Sequence, residues 1–349
     1  MNSLKKQYLI HIVGRWHRLF RHQLVKNKRI LFVQLSALGD ACTLIPLCKL
    51  LEEQEYELTV VCRAGLEMLW SSFIHCSVLP IEEPFWNHLQ KLNQLLGKEE
   101  FEAVICTSIT PVAAFISSLP KTSCRLGMAP ESGKMRGQFL YTNRYRPTSH
   151  EHVWNRFAGL IRLWQPDFPC PKREDAGSIL ESPAEYRGVL IHPGGKWKPR
   201  RWPADRYAAL VRKLRQTGYD VRLIIHQSEE DLLSFFQETD LSGASVILTQ
   251  TVHDLIDAVA GCDLFIGNDS GPMHLTAMLG KPGIILWGPG DFERIRPLGQ
   301  NIRILMKPVS CRPCKQYQNQ EVCERGDNIC LKEIEVEEVL CTVESVGKR

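Results

Sequence analysis

Short apolar runs alternate with stretches of helical periodicity along this chain, and the alternation forms two series. Strands and helices in regular alternation are typical of a parallel sheet covered by helices. At 349 residues the chain also exceeds the roughly 250–300 residues at which one hydrophobic core usually divides. We therefore expect two doubly wound α/β domains. The expected strands are at 30–35, 57–62 and 103–107, and then at 188–192, 221–226, 245–248, 264–267 and 283–287.

The domain boundaries follow from composition and periodicity. Residues 165–187 are proline-rich and aperiodic, which predicts an interdomain linker at 171–187. The first domain then spans 29–170 and the second 188–330. A final helix, expected at 332–346 within 331–349, closes the chain, with a return to the first domain as one option. The expected helices of the two domains are at 41–51, 85–96, 205–216, 229–237, 252–260 and 272–279.

A basic extension, residues 1–28, precedes the first domain. Residues 1–29 hold eight Lys or Arg and no Asp or Glu, whereas the remaining chain carries 35 basic against 39 acidic groups. Its apolar residues recur at helical spacing, which predicts a basic amphipathic helix. This helix either lies on an anionic inner leaflet or packs on the protein's own surface. Its apolar residues are Tyr8, Leu9, Ile12, Val13, Trp16, Leu19, Phe20 and Leu24.

Several classes of protein are disfavoured by the same composition. No apolar run approaches the ~18 residues of a membrane span. Thirteen cysteines without a cleavable signal peptide favour reduced thiols and a cytoplasmic protein, soluble or peripheral at the membrane. The slightly acidic remainder shows no further basic patch, which argues against a nucleic-acid partner.

Three strand-to-helix turns carry residues suited to an anion, and the last of them is the most informative. After the strand at 264–267 the chain reads NDSGPMHL and enters a helix. Ser270 could cap that helix, whose free N–H groups and positive dipole end attract negative charge. Asp269 and Gly271 share the turn, and His274 could add a charge-assisted bond to a phosphate. An ordinary capped junction is the alternative interpretation.

The middle turn, HPGGKWKPRRWP, combines glycine with positive charge. Gly194 and Gly195 leave backbone N–H groups open to an oxygen anion. A diphosphate fits the charge that surrounds them, which comes from Lys196, Lys198, Arg200 and Arg201.

The first turn lies in RILFVQLSALGDACTLIP at 29–46, where a strand runs through a Gly-Asp turn into a helix. In this order and at these separations, the three segments resemble glycosyltransferase family 9, the ADP-heptose:lipopolysaccharide heptosyltransferases, and most of all heptosyltransferase II. The resemblance covers roughly residues 29–331. It implies the GT-B architecture, two doubly wound parallel-sheet (Rossmann-like) domains facing across a cleft, with ligands at the carboxyl ends of the strands.

The resemblance places the catalytic base at Asp40. An inverting sugar transfer needs one base to take the proton of the acceptor hydroxyl while the anomeric carbon is attacked. The alternative makes Asp40 the N-cap of the helix at 41–51. Gly39 allows a close approach of the backbone, and Ser36 either positions the turn or contacts the acceptor.

On the donor side, the resemblance assigns Glu229 to the nucleoside, although Gln227 replaces the usual glycine. A solvated residue in the first turn of a helix is the alternative for Glu229. The lysine that usually precedes the Trp-Pro pair is Arg200 here, which keeps the charge and gains a bidentate fork. The expected donor-binding residues are Gly194, Gly195, Lys198, Arg200, Glu229, Asp269, Ser270, Gly271 and His274.

The function implied is inverting transfer of a heptose, or a related sugar, from an ADP-sugar to an anionic glycolipid of the lipopolysaccharide-core type. The reaction would take place at the cytoplasmic face of the membrane, with no cofactor required for catalysis. The alternatives are a sugar-nucleotide epimerase of the same architecture, a protein heptosyltransferase, and a non-catalytic regulator that binds a nucleotide sugar or a metal. The expected acceptor contacts are Ser36, Gly39, Arg63 and Arg136, with Arg125, His152 and Arg156 as further positive groups.

Four cysteines near the C-terminus, Cys311, Cys314, Cys323 and Cys330, form a separate motif. A Cys-x-Pro-Cys pair followed by two more cysteines is the pattern of a four-thiolate zinc or iron site, although the second pair is spaced more widely than usual. Labile disulfides and unligated thiols are the alternatives, and any metal would be structural. A similar cluster occurs in some members of the family that the chain resembles.

Overall fold

A computed structural model of the protein describes residues 26–176, 188–314 and 323–347. The chain divides into two compact units between Cys170 and Pro171. The amphipathic helix expected up to Leu24, and the 177–187 part of the expected linker, lie outside the described residues. Within the described ranges, every helix is too short or too polar to span a lipid bilayer.

The first unit is built on a parallel sheet of six strands in the order β3-β2-β1-β4-β5-β6. The strands are β1 (Arg29–Gln34), β2 (Glu57–Arg63), β3 (Cys76–Ile81), β4 (Ala103–Cys106), β5 (Arg125–Met128) and β6 (Asn143–Tyr145). The helices are α1 (Leu38–Glu53), α2 (Glu67–Phe73), α3 (Leu89–Leu96), α4 (Pro111–Ser117) and α5 (Val153–Arg162).

The second unit has a parallel six-stranded sheet in the order β12-β11-β10-β7-β8-β9. Its strands are β7 (Val189–His192), β8 (Val221–His226), β9 (Ser245–Thr249), β10 (Leu264–Asn268), β11 (Gly283–Leu286) and β12 (Ile302–Leu305). Its helices are α6 (Ala204–Gln216), α7 (Glu230–Glu238), α8 (Val252–Gly261), α9 (Gly271–Met278), α10 (Phe292–Ile295), α11 (Ile329–Lys332) and α12 (Val336–Gly347).

The two sheets share one order of strands. Counted within its own unit, each sheet has its first strand beside its fourth, and the second and third strands lie on the far side of the first. In a sheet of this order the connections reverse between the first and fourth strands, so ligands bind beyond the carboxyl ends of those two strands. The loops after β1, β4, β7 and β10 are therefore the ones that can form a site.

The central strands of both sheets are buried on both faces because helices flank the sheets. β4 and β7 are buried over their whole length, and so is β10, where Leu, Phe and Ile are followed by Gly and Asn. Continuous apolar runs of this kind are typical of parallel strands covered on both sides. The edge strand β9 is more exposed, as expected for a strand paired on one side.

The structure departs from the sequence predictions in several elements, and the strands β3, β5, β6 and β12 were not predicted. The helix predicted at 41–51 begins at Leu38, and the segment predicted as one helix at 85–96 is a 3₁₀ turn followed by α3. The final helix, α12, packs in the core of the second unit through Val339 and Val343. A return of this helix to the first domain is therefore wrong.

Candidate functional site

Asp40 lies in the first turn of α1, as its third residue, and is half-buried. The N-cap of the helix is Ala37, so the interpretation of Asp40 as the N-cap is wrong. The positive end of the helix dipole favours a carboxylate at this position. Gly39 belongs to the same turn, and its carbonyl accepts a bond from the Thr43 hydroxyl at 2.9 Å.

Ser36 lies in the loop between β1 and α1 and takes part in a compact set of hydrogen bonds. Its N–H donates to Gln34 Oε1 at 2.9 Å, and its hydroxyl lies 3.4 Å from that of Ser108. Sequence reasoning left open whether Ser36 positions the turn or contacts the acceptor. The bonds show that it takes part in the structure of the turn.

The arginines expected to contact the acceptor have different surroundings. Arg63, at the end of β2, donates to Glu83 at 2.7 Å, and its guanidinium lies 6.0 Å from the centre of the Phe85 ring. Arg136 is exposed in a turn after β5. Both stay candidates for contact with an anionic acceptor.

Three further positive groups prove to be buried. The Arg125 guanidinium donates to Pro120 O at 3.1 Å, and burial lowers the pKa of this arginine. Arg156 pairs with Glu131 at 2.7 Å, and His152 is the N-cap of α5, where its ring nitrogen accepts from Trp154 N–H. Their expected availability to an acceptor is therefore wrong, since each already serves the packing of the first unit.

The donor loop, residues 193–202, follows β7 in the second unit. The N–H of Gly195 donates to Glu229 Oε1 at 2.7 Å, so this amide is not open to a phosphate as the sequence suggested. A β-carbon at position 194 would collide with the Glu229 carboxylate, which explains the glycine there. Gly194 therefore lets a carboxylate approach the loop backbone closely.

Glu229 is buried and links the donor loop to the start of α7. Its carboxylate accepts from His226 N–H at 3.1 Å and lies 3.3 Å from Arg201. The alternative of a solvated helix residue is therefore wrong. Arg201 in turn donates to Gly195 O at 2.7 Å and pairs with Asp231 at 3.0 Å, a carboxylate that Lys198 also approaches at 3.3 Å.

Arg200 and Asp269 form the second ion pair of the donor side, with Arg200 Nη1 3.4 Å from Asp269 Oδ1. Asp269 is completely buried, and burial raises the pKa of its carboxyl group, which the positive charge of Arg200 opposes. Its Oδ2 has no hydrogen-bond partner among the described residues. Gly290 comes so close that a β-carbon there would collide with this oxygen.

The turn from β10 into α9 differs from a capped junction. Ser270 occupies the N-cap position, but its hydroxyl donates back to Asn268 O at 3.3 Å and makes no capping bond. Gly271 begins the helix, and Pro272, which has no N–H, follows it. His274 is half-buried in the fourth position of α9, just past the residues that expose free N–H groups.

Sequence reasoning missed Asn268, whose side chain joins β10 to the donor loop. Its Nδ2 donates to Pro193 O and Gly194 O, at 2.9 and 3.0 Å. Its Oδ1 accepts from Trp202 N–H and from the Tyr207 hydroxyl, both at 2.9 Å. The asparagine stood within the quoted NDSG motif, but its partners lie more than sixty residues away in the sequence.

His192, the last residue of β7, is a second residue that the sequence did not single out. Burial lowers its pKa to about 4, although the Glu229 carboxylate opposes this shift. Its Nδ1 lacks a partner within the described part of the chain. The ring is therefore neutral at physiological pH, at the end of the strand that leads into the donor loop.

The cysteine cavity contains the side chains of the C-terminal cysteine motif. It is a small space open to solvent, lined by Cys311, Cys314, Cys323 and Cys330, and by Trp197, Pro199, Pro289, Arg325, Asn328 and Ile329. All four cysteines are free thiols. Burial, with the other three thiols adding to it, raises the pKa of Cys330 to about 11. No three His, Cys, Asp or Glu side chains within the described ranges converge as the ligands of a metal ion would.

Residues 89–324 match the sequence model of glycosyltransferase family 9 (heptosyltransferase), which is more than half of the chain. The chain belongs to glycosyltransferase family 9. The donor loop and the turn into α9 lie within the matched range, whereas Asp40 precedes it. Membership favours a transferase over the epimerase considered from the sequence.

Known relatives agree with this assignment. Lipooligosaccharide heptosyltransferase 2 of Campylobacter jejuni is 27% identical over 157 residues, which cover 43% of this chain and 48% of the relative. The chain thus spans about half the length of this relative.

Solved structures show the same fold. E. coli heptosyltransferase WaaC with ADP has a TM-score of 0.73 at 18% identity, over 91% of this chain and 99% of WaaC. The iron-containing dodecameric heptosyltransferase TibC of enterotoxigenic E. coli, in complex with ADP-D-β-D-heptose, has a TM-score of 0.60 at 12% identity, over 93% and 78%. Two Rossmann-like units of this kind make up the GT-B fold, as expected from the sequence.

Proposed function

We propose that this protein is an inverting heptosyltransferase that moves a heptose, or a related sugar, from an ADP-sugar to an anionic glycolipid of the lipopolysaccharide-core type. Membership in family 9 supports the reaction class. The observation that carries the proposal is a carboxylate, Asp40, in the first turn of the helix that follows the first strand of its unit, where the sheet topology favours a ligand.

In the proposed reaction, Asp40 takes the proton of an acceptor hydroxyl as its oxygen attacks the anomeric carbon of the donor sugar. The bond between that carbon and the diphosphate oxygen breaks, and ADP leaves on the opposite face with the electron pair. Inversion at the anomeric carbon follows from this single displacement. The proton ends on Asp40 and is then released to water.

The charge of the leaving ADP would be stabilised by the second unit. Arg200 is held beside the start of α9 by its ion pair with Asp269, and His274 lies one turn into that helix. A guanidinium and a helix N-terminus together can bind a diphosphate. Glu229, which the family resemblance assigns to the nucleoside, would in addition hold Gly195 in place.

We propose further that the protein acts at the inner face of the cytoplasmic membrane, as a cytoplasmic and peripheral enzyme. A glycolipid acceptor stays in the bilayer, so the enzyme has to come to the surface. The basic extension supports this proposal through its charge alone, because most of it lies outside the described residues.

The cysteine cavity is proposed to hold a structural zinc or iron ion. Support comes from four thiols facing one cavity, since thiolates are the ligands that zinc and iron centres use. TibC has the same fold and contains iron, which also supports a metal site here. The sulfurs would have to move together to bind, because they do not converge in the structure. A bound ion would cross-link the C-terminal loop and leave the transfer chemistry to Asp40.

The test measures ADP release from a panel of ADP-sugars and other nucleotide sugars, with and without truncated lipopolysaccharide. Asp40→Asn is expected to keep ADP affinity and to lower transfer by about 100-fold or more, the usual size of a general-base contribution. Arg200→Ala is expected to keep the fold and to weaken ADP binding by about 1.5–3 kcal/mol, because a charged hydrogen bond is lost. Calorimetry gives the affinities.

Glu67→Gln is the matched control for Asp40→Asn, since Glu67 is also an acidic residue in the first turn of a helix of the first unit. Its activity should equal that of the unaltered protein. Near-normal turnover of Asp40→Asn would remove this carboxylate from the mechanism. Conversion of the nucleotide sugar without any acceptor would indicate an epimerase, and transfer to a polypeptide in place of the glycolipid would indicate a protein heptosyltransferase.

A further inference from the structure

Ser108 lies in the turn after β4, buried next to the end of β1. Its hydroxyl accepts from Leu35 N–H at 2.7 Å and donates to Gln34 Oε1 at 3.2 Å. Both partners are more than seventy residues away in the sequence. A single side chain therefore ties the loop that leaves the first strand to the end of the fourth strand, at the point where the topology opens the sheet to a ligand.

Gln34 supplies the other half of this arrangement. It is the last residue of β1 and completely buried, and its Oε1 accepts from both Ser36 N–H and Ser108. The single proton of Ser108 is used on Gln34, so in the contact between the two serines Ser36 is the donor. The lone pairs of the Ser36 hydroxyl oxygen can then accept a hydrogen bond from a ligand.

The amide group of Gln34 is unusual in one respect. Its Nε2 is buried and has no hydrogen-bond partner in the part of the chain that the structure describes. A buried polar group that is only partly satisfied destabilises a fold relative to an apolar side chain of the same size. An apolar residue at position 34 would make the sheet more stable. The stability of the strand therefore does not explain why this residue is a glutamine.

We infer that Gln34 and Ser108 are positioning residues for the acceptor half of the site. They fix residues 35 and 36, and Ser36 is separated from the first residue of α1 by Ala37 alone. The start of α1, and with it the direction of the Asp40 carboxylate, therefore depends on a loop that Ser108 holds from the neighbouring strand. This inference rests on the proposed function, because it takes Asp40 as the base.

Thr107 provides a matched control. It precedes Ser108 in the same loop and is also buried, but its hydroxyl donates to Val33 O at 3.5 Å and makes no hydrogen bond to Gln34 or Ser36. Thr107→Val keeps the shape of this side chain and removes a buried hydroxyl at almost the same place. Any effect of losing a hydroxyl from this turn in general should appear in Thr107→Val as well.

The experiment compares Ser108→Ala, Gln34→Met and Thr107→Val in the full chain. We expect Ser108→Ala and Gln34→Met to lower kcat for acceptor-dependent ADP release by roughly 10-fold or more, because misplacement of a reacting group is costly. ADP affinity, measured by calorimetry, should stay within about 2-fold, since the donor residues belong to the other unit. Thr107→Val should match the unaltered protein. Hydrogen exchange of the 34–40 segment should accelerate in the first two variants only.

Equal losses of kcat in Ser108→Ala and Thr107→Val would overturn the inference, and so would unchanged kcat in both Ser108→Ala and Gln34→Met. A parallel fall in ADP affinity would show a general loss of structure instead of positioning. The proposed function fails separately, if the unaltered protein shows no acceptor-dependent ADP release. In that case unchanged hydrogen exchange in Ser108→Ala would also refute the positioning of this segment.

Discussion

Two neighbouring side chains hold the guanidinium of Arg200 in place. Its guanidinium lies 5.3 Å from the centre of the Trp197 ring and pairs with the buried Asp269. A planar guanidinium can stack on an indole and bind a carboxylate together, whereas a lysine ammonium offers a compact charge and no flat face. Arginine in place of the family's usual lysine therefore gains a second support from Trp197.

The lowered pKa of His192 predicts that the stability of the protein depends on pH. Its pKa is about 4 in the folded protein, against about 6.5 when unfolded, so between these values only the unfolded chain binds the proton. The free energy of unfolding should therefore fall as the pH drops from about 6.5 to about 4, by about 3 kcal/mol in total. Roughly 2 kcal/mol of this loss should be present at pH 5.

The measurement is chemical denaturation near pH 7 and near pH 5, for the unaltered protein and for His192→Phe. The variant keeps an aromatic ring beside Phe265, 6.4 Å away in the structure, and removes the titrating group. It should lose less stability on acidification than the unaltered protein does. Parallel pH dependences of the two proteins would show that His192 does not control this loss.

The segment that carries the cysteine motif packs against the donor loop. Trp197 and Pro199 line the cysteine cavity, and Cys314 N–H donates to Pro289 O at 3.1 Å. The neighbour of Pro289, Gly290, packs against Asp269. A change in the cavity would therefore be transmitted to both partners of the Arg200 ion pair.

This connection gives a prediction for the proposed metal. The purified full chain should contain close to one zinc or iron per molecule by elemental analysis, and Cys314→Ser should lose most of it because a thiolate ligand is removed. ADP affinity should fall in the same variant, since Trp197 lines the same cavity and would no longer pack against a loop cross-linked by the metal. Cys341→Ser is the control, because Cys341 is an exposed cysteine of α12 outside the cavity. Equal metal content in the two variants would contradict the proposal.

The elements that could be predicted from the sequence are those with continuous apolar runs. β2 and β8 were predicted to within one residue of their bounds, and α8 likewise. The strands β3, β5, β6 and β12 were not predicted. In β6, Asn143 and Arg144 are exposed and Tyr145 is half-buried, because the strand lies at the edge of the sheet. Short edge strands carry too few apolar side chains for their period to be recognised.

The residues of the candidate site also differ in whether the sequence alone could identify them. Asp40, Asp269 and His274 lie in motifs that are local in the sequence, so their turns could be identified directly. Ser108 and Asn268 act through partners 61 to 75 residues away, which no local pattern reveals. Glu229 is likewise distant from Gly195, by 34 residues, so the sequence did not show that its carboxylate accepts from this amide.

For the whole molecule, the basic extension predicts reversible attachment to a membrane. Asn27 and Lys28 bond to the first unit, to Glu100 O and Glu102 at 3.0 Å, so a deletion that keeps these two bonds ends at residue 25. Deleting 1–25 should spare activity on a soluble acceptor fragment and reduce both activity on vesicle-embedded acceptor and sedimentation with anionic vesicles. Each basic group near such a surface contributes about 1 kcal/mol, and salt should weaken the attachment.

A triple substitution, Arg15→Gln with Arg18→Gln and Arg21→Gln, is the companion variant. It removes charge and keeps the apolar residues, so it should lose salt-sensitive binding to anionic vesicles while staying folded. Unfolding of the deleted protein, or undiminished sedimentation with vesicles, would mean that the extension packs on the protein itself.

The shared strand order has a consequence for how such an enzyme can diversify. In each unit a polar residue after the fourth strand, or at its end, holds the loop that follows the first: Ser108 holds Leu35, and Asn268 holds Pro193 and Gly194. In both cases the donor and the acceptor of these hydrogen bonds belong to the same unit. Substitutions in one unit can therefore leave the loop supports of the other unit intact, so the two units can diversify separately.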